Sequence, residues 1–214
     1  MTYWQISKSF LNTFCGLVLN RLIMTDIEFS YLRQSPTKWT FEMPLLRKWV
    51  EEHSHGKVLN LFAGKVRLNV DEYRVDMSSE YKPDLNMEAE MALRKFIKEG
   101  RFFDTVILDP PYSMRMAREK YHGRYYIGKF AKILNLVPRV LNKNGIVITL
   151  GYKTGEMSAS RGFAVRAICI VHQGGGYDDI IGCQEISMIS DYYLNGTSSR
   201  WVNHEDIGNF EVDE

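Results

Sequence analysis

The sequence has little cysteine and no excess of charge of either sign. Its three cysteines form no C-x-x-C pair, which argues against a disulfide framework and against a zinc site. The five histidines also lack metal-ligand spacing, so no metal is expected. With 27 basic and 26 acidic residues, the formal net charge is only +1. Any attraction to a charged partner must therefore be local, and the reduced thiols predict a cytoplasmic protein.

A long hydrophobic run is also missing. The apolar stretch at residues 10–24 is interrupted by Asn12, Asn20 and Arg21 and is shorter than a membrane-spanning helix requires. No small-residue cleavage site follows it, so neither a secretory signal nor a membrane partner is predicted. The stretch is interpreted as an amphipathic helix or an upstream extension without an assigned function. Met24 is a second candidate start, because the organised pattern begins only after it.

From Pro36 onward, apolar strands alternate with amphipathic helices. This alternation on short connections predicts one α/β domain, in which a mostly parallel sheet carries helices on both faces. The predicted organisation is an N-terminal extension at residues 1–35, a domain at 36–192 and a polar, acidic tail at 193–214. Strands are predicted at residues 58–62, 73–76, 104–108, 146–150, 163–171 and 186–189, and helices at 44–52, 87–99 and 127–141.

The strongest motif, Asp109-Pro110-Pro111-Tyr112, follows the apolar strand at 104–108. Ligands of parallel sheets bind beyond the carboxyl ends of the strands, where this motif lies. An amino nitrogen on a nucleobase is a poor nucleophile, because its lone pair is delocalised into the ring. A carboxylate and a backbone carbonyl that accept its hydrogens would localise that pair and stabilise the developing positive charge. Consecutive prolines hold such a loop rigid, and an aromatic ring offers a stacking surface.

This segment resembles motif IV of the D/N/S-P-P-Y/F amino-methyltransferases. That superfamily includes DNA N6-adenine and N4-cytosine methyltransferases, RNA guanine-N2 enzymes and a protein-glutamine branch. The resemblance implies a Rossmann-like class I methyltransferase fold and S-adenosylmethionine as the cofactor. It also implies that Asp109 and the Pro110 carbonyl bind the target amine, that Pro111 stiffens the loop, and that Tyr112 stacks on the target ring.

A second segment resembles motif I of the same superfamily, whose pattern is F-x-G-x-G. Phe62, Ala63 and Gly64 match its first half, and the resemblance places them beside the cofactor. The second glycine is absent, because Lys65 and Val66 follow Gly64.

Further cofactor contacts are implied by position. Asp76 matches the acid that binds the ribose hydroxyls. It arrives early after Gly64, so the intervening helix is expected to be short or distorted. Glu88 occupies the place of a residue near the adenine. Thr40 and Phe41 belong to an upstream segment that either packs against the methionine end of the cofactor or simply fills the core.

The residues after the proposed catalytic loop are basic and aromatic. In a chain of nearly zero net charge they predict a local positive patch, suited to phosphates and with rings for stacking; a solvated helix face is the alternative. The patch favours a nucleic-acid substrate. Its proposed nucleic-acid-binding residues are Arg115, Arg118, Lys120, Tyr121 and Arg124.

The identity of the nucleic acid stays open at this point. The chain leaves little length for a separate recognition domain, which suits a small RNA methyltransferase acting on guanine N2 or adenine N6. Aspartate with tyrosine in the loop is common in the DNA N6-adenine branch, so adenine N6 in DNA is preferred. A non-catalytic methyltransferase-like subunit that binds nucleic acid is the third reading. A homodimer and a separate specificity subunit are both left open.

Overall fold

The computed structural model describes residues 27–111 and 130–188 of the chain. They form an eight-stranded sheet with helices on both faces. The strands are β1 (Glu28–Arg33), β2 (Val58–Asn60), β3 (Glu72–Asp76), β4 (Leu85–Asn86), β5 (Phe103–Leu108), β6 (Leu141–Gly151), β7 (Phe163–His172) and β8 (Ile180–Ser187), and the helices are α1 (Pro44–Glu52), α2 (Ala89–Glu99) and α3 (Phe130–Leu136).

The strand order is β1-β7-β8-β6-β5-β2-β3-β4. Neighbouring strands are parallel except at β8, which is antiparallel to both β6 and β7. The chain builds β2, β3 and β4 outward in one direction and then returns to place β5 on the other side of β2. This reversal is the topological switch point of a doubly wound sheet. The predicted α/β, Rossmann-like class I methyltransferase fold is confirmed by this order.

Two apolar layers hold the helices on the sheet. Helix α1 has proline at its first position and buries Leu46, Trp49 and Val50 against one face. Helices α2 and α3 pack on the other face, where Phe96 of α2 is fully buried. Gly182 of β8 permits the close approach of α1, because a Cβ there would lie 3.0 Å from Cζ3 of Trp49.

The sheet begins earlier than the predicted domain boundary. Residues 28–33, placed by the sequence in the N-terminal extension, form edge strand β1 and pair with β7 in parallel register. The last strand also differs from the prediction at 186–189, since β8 covers Ile180–Ser187. Its early half follows a glycine-rich loop and has no polar–apolar alternation that would mark a strand. Residues 1–26 and the predicted tail at 193–214 lie outside the described part.

The predicted helix at 127–141 ends early. Helix α3 stops at Leu136 and a 3-10 turn covers Val137–Val140, because Pro138 cannot donate a helical hydrogen bond. Residues 142–145 form an irregularity inside β6, where the register with β5 shifts between Phe103 and Thr105. Asn144 has a φ of 58° there.

The thiols of Cys169 and Cys183 are both buried. Burial raises the pKa of Cys169 to about 11. Burial, with the carboxylates of Glu185 and Glu156, raises the pKa of Cys183 to about 12. Since only a thiolate is a good nucleophile, we expect neither thiol to react with a thiol reagent near pH 8 until the protein unfolds. In a Cys15→Ser variant, titration with a chromogenic disulfide should release no colour before denaturant is added. Rapid release in native buffer would contradict the burial.

Candidate active site

The carboxyl ends of β2 and β5 meet at the switch point. The two strands are direct neighbours, and the N–H of Leu61 donates to the carbonyl of Ile107 at 3.2 Å. Asp109 and Pro110 are half-buried at the end of β5 and Pro111 is buried. The acid-proline-proline corner and the loop after β2 therefore leave the sheet side by side. Tyr112, the fourth residue of the motif, lies outside the described residues.

The loop after β2 is fixed at Gly64 from two directions. Its N–H donates to Oδ2 of Asp76 at 2.8 Å, and its carbonyl accepts a hydrogen bond from Nη2 of Arg74 at 2.6 Å. Gly64 has a φ of +53°, a left-handed conformation that glycine adopts without cost. Two side chains of β3 thus hold the turn in place, and Val66 stands where the F-x-G-x-G pattern has its second glycine.

Asp76 also connects this turn to the next segment of the site. Its Oδ1 accepts the N–H of Ser78 at 2.8 Å, and its carbonyl accepts the N–H of Met87 at 3.0 Å. The side chain is only 5% exposed. Each carboxylate oxygen can accept a second hydrogen bond, so ribose hydroxyls would share Asp76 with the backbone. The resemblance implies only that Asp76 binds the ribose. In the structure its contacts also hold the backbone at Gly64, Ser78 and Met87.

The remaining predicted cofactor residues lie around this point. Glu88 is half-buried and is the N-terminal cap residue of α2, one position after Met87. Thr40 begins a 3-10 turn, Thr40–Glu42, next to the ring of Trp39. A Cβ on Gly64 would lie 4.0 Å from Cε3 of Trp39, so this ring is at the glycine turn. The upstream segment therefore reaches the site through Trp39 and Thr40.

Phe41 fits the second of the two readings left open for its segment, that of filling the core. Its side chain is 3% exposed and packs in the core with Leu46 and Val58, between α1 and the sheet. The sequence of a short turn does not show which side chains point into the core and which point out of it. The sequence analysis therefore could not distinguish Phe41 from its neighbours in this respect.

The connection between β2 and β3 contains no helix within its residues 61–71. The expectation of a short or distorted helix is therefore wrong, and carboxylates organise the connection. Glu72 accepts the side-chain N–H of Asn60 at 2.8 Å and the backbone N–H of Leu68 at 3.1 Å. Leu68 then enters the core in place of a helical residue. Burial raises the pKa of the Glu72 carboxyl above its ordinary value.

Arg74 is a buried cation that the sequence analysis did not single out. Besides Gly64, its guanidinium donates to the carbonyl of Tyr81 at 3.1 Å. Its Nε lies 3.8 Å from Oε2 of Glu72, which is an ion pair too long for a hydrogen bond. Arg74 therefore ties the turn after β2 to the loop after β3. The signal in the sequence was a charged residue between Tyr73 and Val75, in the middle of a short strand.

On the other side of β5, a second carboxylate organises the loop after β6. Glu185 of β8 is fully buried. Its Oε2 accepts the N–H groups of Glu156 and Met157 at 3.1 and 2.9 Å, and its Oε1 accepts that of Ser158 at 2.9 Å. Because Glu185 pairs with Val147 near the start of β6 and with Val165 near the start of β7, its contacts hold the returning part of the β6–β7 connection to the sheet. Sequence reasoning missed Glu185, since its partners are 27 to 29 residues away.

Replacing Glu185 should loosen that loop. In Glu185→Gln, the amide nitrogen faces a backbone N–H that loses its acceptor, which costs about 1–3 kcal/mol. We expect a lower free energy of unfolding in urea, with cofactor affinity nearly unchanged. Glu156→Gln is the matched control, because it removes only a surface ion pair with Lys153 at 3.4 Å. An unaltered urea midpoint in Glu185→Gln would show that the three contacts contribute little.

The proposed nucleic-acid-binding residues, Arg115 to Arg124, lie outside the described residues. Among the residues described, no group of three or more histidine, cysteine or acidic side chains could hold a metal ion. No helix in the described ranges is long and apolar enough to cross a membrane.

No protein-family model and no curated protein match the chain. Solved structures do match it. TrmN from Thermus thermophilus is 18% identical, with 68% of this chain and 49% of TrmN covered and a TM-score of 0.44. A SAM-dependent methyltransferase from Agrobacterium tumefaciens is 15% identical, with 67% and 59% covered and a TM-score of 0.41. A methyltransferase from Pyrococcus furiosus is 15% identical, with 82% and 98% covered and a TM-score of 0.42. The chain spans about half the length of several matched structures.

Proposed function

We propose that this protein is an S-adenosylmethionine-dependent methyltransferase that acts on an exocyclic amino group of a nucleobase. The observation that carries the proposal is the position of the Asp109-Pro110-Pro111 corner. It leaves β5 at the switch point, beside the turn after β2 that Arg74 and Asp76 hold in place. A cofactor at the turn and an amine at the corner would then meet in one crevice.

The turn after β2 suits the cofactor. Gly64 has no side chain to block a ligand and lies next to the ring of Trp39. Asp76 retains acceptor capacity for hydroxyl groups, and Glu88 follows on the adjoining segment. S-adenosylmethionine would supply an electrophilic methyl group on a sulfonium. The residues of this chain would orient it, with Phe62 at the boundary between the turn and the catalytic corner.

The corner suits the acceptor. Asp109 would accept one amino hydrogen and the Pro110 carbonyl the other, so that the nitrogen lone pair points at the methyl carbon. The nitrogen–carbon bond forms as the carbon–sulfur bond breaks, and the electron pair of that bond stays on sulfur. The extra proton on the product nitrogen leaves to solvent or to the Asp109 carboxylate. Tyr112 and the basic patch would bind the base and its strand.

Adenine N6 in DNA is the first substrate to test. Purified protein would receive cofactor with a labelled methyl group and, in parallel, unmethylated genomic DNA, total RNA or ribosomes. Label in DNA, recovered as N6-methyladenine after digestion, supports the proposal as stated. Label confined to RNA would retain the enzyme class and replace the substrate with an RNA base.

A non-catalytic role has its own signature. Calorimetric titration of S-adenosylmethionine into the protein should give binding in the micromolar range typical of enzyme substrates. If the titration shows no heat of binding and no nucleic acid receives a methyl group, the methyltransferase proposal is overturned. A nucleic-acid-binding subunit would then remain.

A further inference from the structure

A pocket of about 280 Å³ lies where β1 and β7 leave the sheet, lined by residues 33–35 and 172–174. Strand β1 is parallel to β7, and both β6 and β7 are antiparallel to β8. The carboxyl ends of β1, β7, β6 and β5 consequently lie at the same edge of the sheet. The pocket therefore opens on the same edge as Asp109, on the side away from the predicted cofactor turn.

The lining of this pocket is rich in hydrogen-bond donors. Arg33 is exposed and forms no ion pair with any carboxylate of the described residues. The Oε1 atom of Gln34 accepts the N–H of Leu45 at 2.8 Å, which fixes the amide, and its Nε2 has no hydrogen-bond partner among the described residues. Ser35, the next residue of the lining, carries a hydroxyl that can also donate a hydrogen bond. A guanidinium with polar hydrogens around it fits the oxygens of a phosphate group.

The β7 side of the pocket is held rigid. His172 Nδ1 lies 2.9 Å from Oδ1 of Asp179, and its ring stacks on Tyr31 with centroids 6.4 Å apart. Gln173 donates to the carbonyl of Asp178 at 2.7 Å. The nearest carboxylate, that of Asp179, is thus paired with His172.

We propose that this pocket binds a backbone phosphate of the nucleic-acid strand that flanks the target base. The inference rests on the proposed function, since it extends the substrate along the edge that carries the catalytic corner. Three to four strand spacings separate β5 from β7 and β1, or about 14–19 Å at roughly 4.8 Å per spacing. A stacked strand carries a phosphate about every 3.4 Å, so the pocket would take a phosphate about four to six nucleotides from the target.

The distance gives a test based on length. Binding of labelled DNA oligonucleotides with a central adenine would be followed by fluorescence anisotropy over a salt series. One probe would have about two nucleotides on each side of the adenine and the other about ten, so that only the second reaches the pocket. Parallel RNA probes of the same lengths would cover an RNA substrate. Wild type, Arg33→Ala and the control Lys98→Ala would be compared. Lys98 is exposed in the last turn of α2, near the start of β5 and hence at the opposite edge of the sheet.

For Arg33→Ala, we expect weaker binding of the long probe, with a salt slope smaller by about 0.7 to 0.9, which is the loss of one phosphate contact. The short probe should bind both proteins equally, and Lys98→Ala should leave both probes unchanged. The subsite would be overturned if Arg33→Ala weakened binding of both probes equally or left binding unchanged. It would also be overturned if Lys98→Ala weakened binding of the long probe as much as Arg33→Ala does. If Arg33→Ala weakens binding of the long probe only, but the wild-type protein transfers no methyl group, the result supports the subsite. Only the catalytic proposal would then fail.

Discussion

Asp109→Ala should lower the rate of methyl transfer by about 10²–10⁴-fold, the range associated with a positioned acid or base. Its carboxylate is proposed to accept an amino hydrogen and to stabilise the charge that develops on nitrogen, so the loss should be in kcat. The turn proposed to bind the cofactor is held by Arg74 and Asp76 of β3. Calorimetric affinity for S-adenosylmethionine should therefore stay within about twofold, since no contact with it is removed.

Two variants make this prediction sharp. Asp109→Asn keeps an acceptor oxygen and loses the charge, so it should retain more activity than the alanine variant, as asparagine in the superfamily motif implies. Asp104→Asn is the control on the same strand. Asp104 lies at the opposite end of β5, where it accepts the N–H of Lys57 at 2.8 Å, and its loss should leave the specific activity unchanged. Full activity in Asp109→Ala would remove the residue from the mechanism.

Arg74→Met should destabilise the fold by about 3–5 kcal/mol, as expected when one partner of a buried ion pair is removed. The change leaves the Glu72 carboxylate buried without its cation and deprives the carbonyls of Gly64 and Tyr81 of a donor. Urea unfolding would measure the loss. Arg94→Met, which breaks only the exposed pair with Glu90 on α2, should cost less than about 1 kcal/mol.

The effect of Arg74→Met should depend on pH with a definite sign. Burial already raises the pKa of Glu72, and removal of the neighbouring cation should raise it further. A carboxyl whose folded pKa exceeds its unfolded pKa binds more protons in the folded state, so stability falls as pH rises from the ordinary carboxyl value upward. The variant should thus be closest to wild type in acid. Glu72→Gln combined with Arg74→Met should recover part of the loss, and strict additivity would show that the pair is not coupled.

The part of the fold that follows from local pattern was predictable from sequence. The proline start and apolar face of α1 and the β-branched run of β5 are properties of contiguous residues, and both were located within a residue or two. Strand β1 was not, because four of its six residues are exposed and only pairing with β7 makes it a strand. Edge strands depend on a distant partner that a short window of sequence does not contain.

The candidate site divides in the same way. Gly64 and Asp109 could be proposed from sequence because both belong to short motifs at strand ends. The contacts of Arg74 and Glu185 could not, since each side chain binds backbone groups of a loop that only the tertiary fold brings near. For Phe41 the sequence left two readings open, and only the fold shows that its ring lies in the core.

The hold on Gly64 has a consequence for how such chains are recognised. A search pattern that insists on two glycines would pass over any protein in which side chains of the following strand hold the turn, as Arg74 and Asp76 do at Gly64. The useful mark is instead a basic residue two positions before the acid at the end of the following strand, as in Arg74 and Asp76. Chains with one glycine and that basic–acidic spacing would be worth collecting as a group.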